Sequence, residues 1–286
     1  MSIRRYTILI HCPDQKGIIA GVTEFIHQSK GNIEYIDQYV DRTHNNFFMR
    51  IEVAFDTTSF FWKGFKEEFS SRVGRQFKMQ LEFYEQDKIP KMALFISKYD
   101  HCLYDLLALQ QSGKLDCEIP FILSNHPDLK FIADQFNIPF KLVPVDPKDK
   151  SKAAEEQLRL LAEKQVDFVV LARYMQIIHP DVIAAFPSKI INIHHSFLPA
   201  FPGAKPYHTA YDRGVKIIGA TSHYVTEELD AGPIIEQDVV RVSHAHEVQD
   251  FIRLGRDLER LVLVRAVELH TKRKVLVLNN KTVVFT

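Results

Sequence analysis

The chain has 286 residues, 46% of them apolar and 25% charged, enough to bury a sizeable core in one or two domains. Lysine plus arginine equals aspartate plus glutamate at 36 each, so no global field draws the protein to nucleic acid or to anionic lipid. Cys12, Cys102 and Cys117 are odd in number and far apart, which excludes a disulfide framework and a thiolate metal knuckle and fits a reducing cytoplasm. The apolar run after Arg4-Arg5 breaks at His11-Cys12-Pro13-Asp14, too short for a signal-peptide core. No stretch approaches the roughly 20 apolar residues of a membrane span, so neither membrane nor nucleic acid is an expected partner.

The first 84 residues read as β-α-β-β-α-β. Tyr6 to Cys12 is apolar and strand-like, and Pro13 to Gly17 turns the chain. Ile18, Ile19, Val22, Phe25 and Ile26 then recur at helical spacing up to Lys30, with Gly31 as a helix stop. Asn32 to Asp41 and Phe47 to Phe55 are strands around a polar turn at 42–46. Phe60, Phe61, Phe65 and Phe69 place a second helix over 59–73, and Phe77 to Tyr84 alternates as a strand. Two helices on one face of a four-stranded antiparallel sheet is the ferredoxin-like split β-α-β arrangement.

Asp14-Gln15-Lys16-Gly17-Ile18-Ile19-Ala20, opening the first helix of such a unit, resembles the ACT domain family. By itself Gly17 is a turn glycine at a helix entry. The resemblance implies more: an amino-acid effector held near Asp14, Gly17 and Ile18, with glycine or methionine as candidates. It also implies pairing of such units, hence a homo-oligomer, dimer or tetramer.

Residues 85–91 are polar, contain Pro90, and read as a linker between an ACT-like domain (1–84) and a catalytic domain (92–286). Beyond the linker strands and helices alternate. The expected strands are Met92 to Ile96, Phe121 to Leu123, Phe140 to Val143 and Phe168 to Ala172. The expected helices are His101 to Gln110, Leu129 to Phe136 and Ala153 to Lys164. This grammar specifies a Rossmann-like α/β domain with a mostly parallel sheet covered on both faces, and ligands at the carboxyl ends of its strands. Ile217 to Val225 is a further strand. A long helix over 246–272 carries Leu254, Leu258, Leu261 and Val264 on one side, and 274–285 closes as a hairpin.

Chemistry concentrates between 190 and 235. The apolar run from Ile190 ends in Asn192 and His194, two residues apart, so a strand points both side chains to one face. Asp230 arrives from a loop ahead of Gly232. An amide donor, an imidazole and a carboxylate are the parts needed to attack a carbonyl-like carbon: two polarisers and a proton acceptor. The thirteen histidines show no ligand spacing with carboxylate or cysteine, so no metal is expected.

Asn192-Ile193-His194, Ser196-Phe197-Leu198-Pro199 and the segment His223 to Ile235 resemble the formyltransferase family that uses 10-formyltetrahydrofolate. The resemblance covers about 92 to 280. It implies that Asn192 and His194 stabilise the oxyanion and that Asp230 orients the imidazole and relays protons. It further implies a folate pocket lined by Met175, Gln176, Ile178, His223 and Val225. Folate is then substrate, and no prosthetic group is implied.

The acceptor of the formyl group stays open between water and an amine such as that of glycinamide ribonucleotide. A phosphate-bearing acceptor needs a Gly-rich turn after the first strand. The turn here is Ser97-Lys98-Tyr99-Asp100-His101, without glycine. Together with the ACT-like half, His195, Phe197 and the 202–208 segment, this resembles the formyltetrahydrofolate deformylase family. That implies hydrolysis to formate and tetrahydrofolate, formate supply for purine synthesis and balancing of one-carbon folates.

Overall fold

The computed structural model describes residues 3–56, 58, 60–199 and 206–285. The 202–205 part of the segment that entered the resemblance therefore lies outside the described residues. The chain forms two compact units. One runs up to Ile89 and takes in Arg273–Leu276 and the end of the chain from Val283; the other comprises Pro90–Lys272 and Val277–Thr282. The first crossing between the units falls at Ile89–Pro90, inside the expected 85–91 linker, and the terminal hairpin is divided between the two.

In the first unit β1 (Ile3–Pro13), α1 (Ile18–Gln28), β2 (Asn32–Asp41), β3 (Asn46–Asp56), α2 (Trp62–Phe69), α3 (Arg75–Phe77) and β4 (Gln80–Glu85) follow one another. The sheet order is β2-β3-β1-β4, antiparallel throughout. This is the ferredoxin-like unit expected. Its core stacks Phe25, Phe55, Phe65 and Phe69 between sheet and helices. The second helical segment starts later and runs further than its phenylalanines indicated. Phe61 is the N-cap of α2 and 69% exposed. Past Phe69 the chain widens into a π-helical turn, Ser70–Gly74, before α3, and Lys78 at φ 54° turns it into β4. Val73 and Phe77 still reach the core, so the apolar pattern there marks burial and not the helix boundary.

The second unit contains β5 (Met92–Ile96), α4 (His101–Gln111), β6 (Ile122–Ser124), α5 (Lys130–Gln135), β7 (Phe140–Leu142), α6 (Ser151–Glu163) and β8 (Phe168–Leu171). There follow α7 (Pro180–Ala185), β9 (Ile190–His194), α8 (Pro206–Asp212), β10 (Ile217–Tyr224), β11 (Ile234–Arg241) and α9 (Val248–Thr271). The hairpin β12 (Val275–Leu278) and β13 (Lys281–Val284) ends the chain. The seven-stranded sheet has the order β11-β10-β9-β8-β5-β6-β7. β7, β6, β5, β8 and β9 run parallel, while β10 and β11 are antiparallel. From β5 the chain builds outward through β6 and β7, then returns to β8 on the other side. The carboxyl ends of β5 and β8 thus form a topological switch point.

Three elements were not anticipated. α7 and α8 span six and seven residues, too short to show a helical period, and β11 carries Glu236, Gln237 and Asp238 in its middle. The buried stripe of α9 is also rotated from the expected one. Phe251, Gly255, Leu258, Glu259, Val262 and Ala266 face inward, and Leu261 is 42% exposed. The cause is Tyr207, whose ring lies against Gly255. A Cβ there would fall 2.1 Å from the ring, so the helix turns its one glycine and Glu259 toward that side chain.

Candidate active site

The site is built where β8, β9 and β10 end. Asn192 and His194 lie two apart on β9 and line the same cavity, of about 470 Å³. The antiparallel register sets His223 of β10 directly opposite Asn192 and Thr221 opposite His194. Asn192 Nδ2 therefore lies 3.2 Å from His223 Nε2, a cross-strand pair. His223 Nδ1 sits 3.0 Å from the Tyr224 carbonyl oxygen, which makes Nδ1 the protonated nitrogen. In the neutral ring Nε2 then accepts from the Asn192 amide. In the protonated ring it donates toward Asp230 Oδ1, 3.7 Å away.

Asp230 Oδ2 lies 3.3 Å from His194 Nδ1. Two backbone features bring it there. Asp230 itself stands in the left-handed region at φ 55°. Gly232 passes so close under the end of β10 that a Cβ would lie 1.8 Å from the Tyr224 carbonyl oxygen. Tyr224 N–H donates to the Pro233 carbonyl at 2.9 Å and closes the loop. Hydrogen bonds from His194 and then His223 hold the Asp230 carboxyl well below the usual carboxylate range, against the opposing effect of burial. With Nδ1 facing Asp230, His194 Nε2 is buried and has no hydrogen-bond partner among the described residues.

The 172–178 loop forms another wall. Ala172 N–H donates to the Phe95 carbonyl, and Met175 N–H to Ser97 Oγ, itself bonded to Asn125. Tyr174 is buried against Phe95, with its hydroxyl accepting from Gln157. The pinned backbone leaves Met175 46% exposed at the cavity, beside Gln176 and Ile178; Val225 lines it as well. All eight catalytic and pocket residues expected in this unit thus line one cavity. His223, however, is buried and has both nitrogens engaged by protein atoms. The effector residues fare differently. Ile18 is 2% exposed and packs into the core of its unit, so only Asp14 and Gly17 (φ 92°) offer atoms at the surface.

The chain matches the Formyl transferase family over residues 90–267 and the ACT domain over residues 6–58. A protein named formyltetrahydrofolate deformylase in Synechocystis sp. is 53% identical over 98% of both chains. The chain belongs to the formyltetrahydrofolate deformylase family. The deformylase of Bacillus subtilis is 44% identical, covering 97% of this chain and 93% of its own. The crystal structure of the Pseudomonas syringae deformylase superposes with a TM-score of 0.96 at 48% identity, over all of this chain and 96% of that one.

In this deformylase-family chain a buried polar group that sequence reasoning missed backs the cavity. Glu259 of α9 is 1% exposed and accepts from His101 Nε2 at 2.9 Å and Tyr207 Oη at 2.6 Å, with Arg173 Nε at 3.4 Å. Burial alone would raise its carboxyl pKa, but the His101 hydrogen bond and the Arg173 charge outweigh it and hold it low. Cys102 lies close by, so His101, Cys102 and Glu259 make one group of potential metal ligands among the described residues. The carboxylate is already matched by the Arg173 cation and two hydrogen bonds, and burial keeps the Cys102 thiol protonated. The available signals were a lone acid on the apolar stripe of the last helix and a lone arginine ending the run 168–172.

Proposed function

We propose that this protein hydrolyses 10-formyltetrahydrofolate to formate and tetrahydrofolate. The observation that carries the reading is His194, which lines a cavity shared with Asn192, turns Nδ1 toward Asp230 and leaves a buried Nε2 without a partner among the described residues. A formamide carbon is a poor electrophile, so catalysis needs donors where negative charge appears on oxygen. Asn192 Nδ2 and protonated His194 Nε2 supply them. Asp230 orients the imidazolium and its carboxylate accepts the proton that water gives up as it attacks. The pair returns a proton to the folate nitrogen as the C–N bond breaks. Met175, Gln176, Ile178 and Val225 seat the folate, and His223 holds Asn192 from behind.

Water as acceptor fits the turn after β5. Tyr99 there lies 5.0 Å from Arg173 and 5.8 Å from Arg256, and His101 is bound to Glu259. Bulky side chains engaged in this way leave no glycine nest for a phosphate-bearing acceptor. The formate would serve purine synthesis and balance one-carbon folates. A glycine or methionine effector at Asp14 and Gly17, and a homo-oligomer joined through ACT-type units, complete the reading.

Purified full-length protein given 10-formyltetrahydrofolate without an acceptor releases stoichiometric formate. Turnover only with an added amine would make it a transferase, and no turnover under either condition would make it a sensor. Calorimetric titration of the full chain with glycine and methionine tests the effector.

A further inference from the structure

His195 follows the catalytic strand end directly, lines the same cavity, and stacks on His194 with ring centroids 5.1 Å apart and planes 22° from parallel. The proposed chemistry places a proton on His194 in the transition state. A second imidazolium at stacking distance would oppose it, because two like charges this close in a partly dry site repel strongly. The structure contains a device that prevents this. Arg173 Nη1 lies 2.5 Å from His195 Nδ1. A guanidinium can only donate, so that nitrogen must be an unprotonated acceptor. Arg173 is held in place from behind by Glu259, which His101 and Tyr207 fix in turn. The backbone of Arg173 stands at φ 63°, a conformation costly for a side-chain-bearing residue and retained where the surroundings demand it.

Resting on the hydrolytic reading above, we propose that Arg173 is a positioning residue: through its hydrogen bond to His195 it keeps that ring uncharged, so the reacting proton resides on the His194–Asp230 pair alone. The groups that face His195 are Arg173 after β8, Glu259 on α9, Tyr207 on α8 with ring centroids 6.0 Å apart, and His194 and Asp230. Burial and then Arg173 push the imidazole down to about 4, and the carboxylates only partly offset them.

The test combines histidine NMR with pH profiles on the full-length protein. In the wild type the His195 ring shows no titration between pH 5 and 8. In Arg173→Met its titration moves up into that window. There kcat at pH 6, relative to pH 8, falls about tenfold or more below the wild-type ratio, as expected for a charge placed beside His194. The double variant Arg173→Met/His195→Gln, with no ring to protonate, recovers the wild-type profile shape. A wild-type His195 that titrates between pH 5 and 8 overturns the proposal whatever the activity. So does an Arg173→Met variant whose activity falls equally at every pH, or a double variant no better than the single one. Failure of the underlying hydrolytic reading would show separately, as an Asp230→Asn variant that keeps its turnover.

Discussion

Asn192 and His223 face each other across the β9–β10 ladder, and the His223 ring lies behind the amide that reaches the cavity. With Nδ1 donating to the Tyr224 carbonyl, Nε2 fixes how the Asn192 amide is turned. His223→Leu frees that amide and is expected to lower kcat about tenfold with little change in folate KM. Steady-state kinetics decide it: a rise in KM at constant kcat would make His223 a folate contact.

On the hydrolytic reading proposed above, Asn192→Ala removes one oxyanion donor. A loss of about 10²–10³ in kcat is expected, with folate affinity nearly unchanged, because the bond forms mainly in the transition state. Equilibrium binding of a non-hydrolysable folate provides the comparison, and a parallel loss of affinity would reassign Asn192 to binding.

Asp230→Asn is expected to leave folate binding intact and to abolish nearly all turnover. Retention of more than about a tenth of wild-type kcat, ~1.4 kcal/mol in barrier, would contradict the proton relay.

Gly232→Ala should resemble Asp230→Asn in activity while remaining folded. Its Cβ meets backbone, the Tyr224 carbonyl, so the loop must shift and carry Asp230 away from His194. A crystal structure of the variant with Asp230 still 3.3 Å from His194 would refute the argument.

His195 gives stability a pH dependence of known sign. Its folded pKa, about 4, lies below the ordinary 6.5. Between these values the unfolded chain binds a proton that the folded chain does not, so stability falls as pH drops through the window. The full effect is roughly 3 kcal/mol at most. Urea unfolding at pH 7.5 and 5 should show a smaller acid loss in His195→Gln than in the wild type.

Much of this was legible in the residues. The two grammars, β-α-β-β-α-β and then alternating strand and helix, are written in side-chain periods of 2 and 3.6, and the β2, β5 and β9 spans agree with their patterns. Asn192 and His194 could be paired because strand alternation puts i and i+2 on one face. Local pattern failed where distant contacts set the outcome. Phe61 looks like a core residue and is exposed. Leu261 looks inward but turns out, since Tyr207, on the distant helix α8, selects Gly255 and Glu259 instead.

The sequence by itself singled out an amide, an imidazole and a carboxylate, Asn192, His194 and Asp230, as the candidate chemistry, and determined that a formyltransferase-type domain follows an ACT domain along the chain. Only the tertiary structure decided the charge states around them. Arg173, His195, Glu259, His101 and Tyr207 come from five separate parts of the chain and are joined by hydrogen bonds and an ion pair. Whether a buried group is charged depends on what surrounds it in space, and no periodicity along the chain records that.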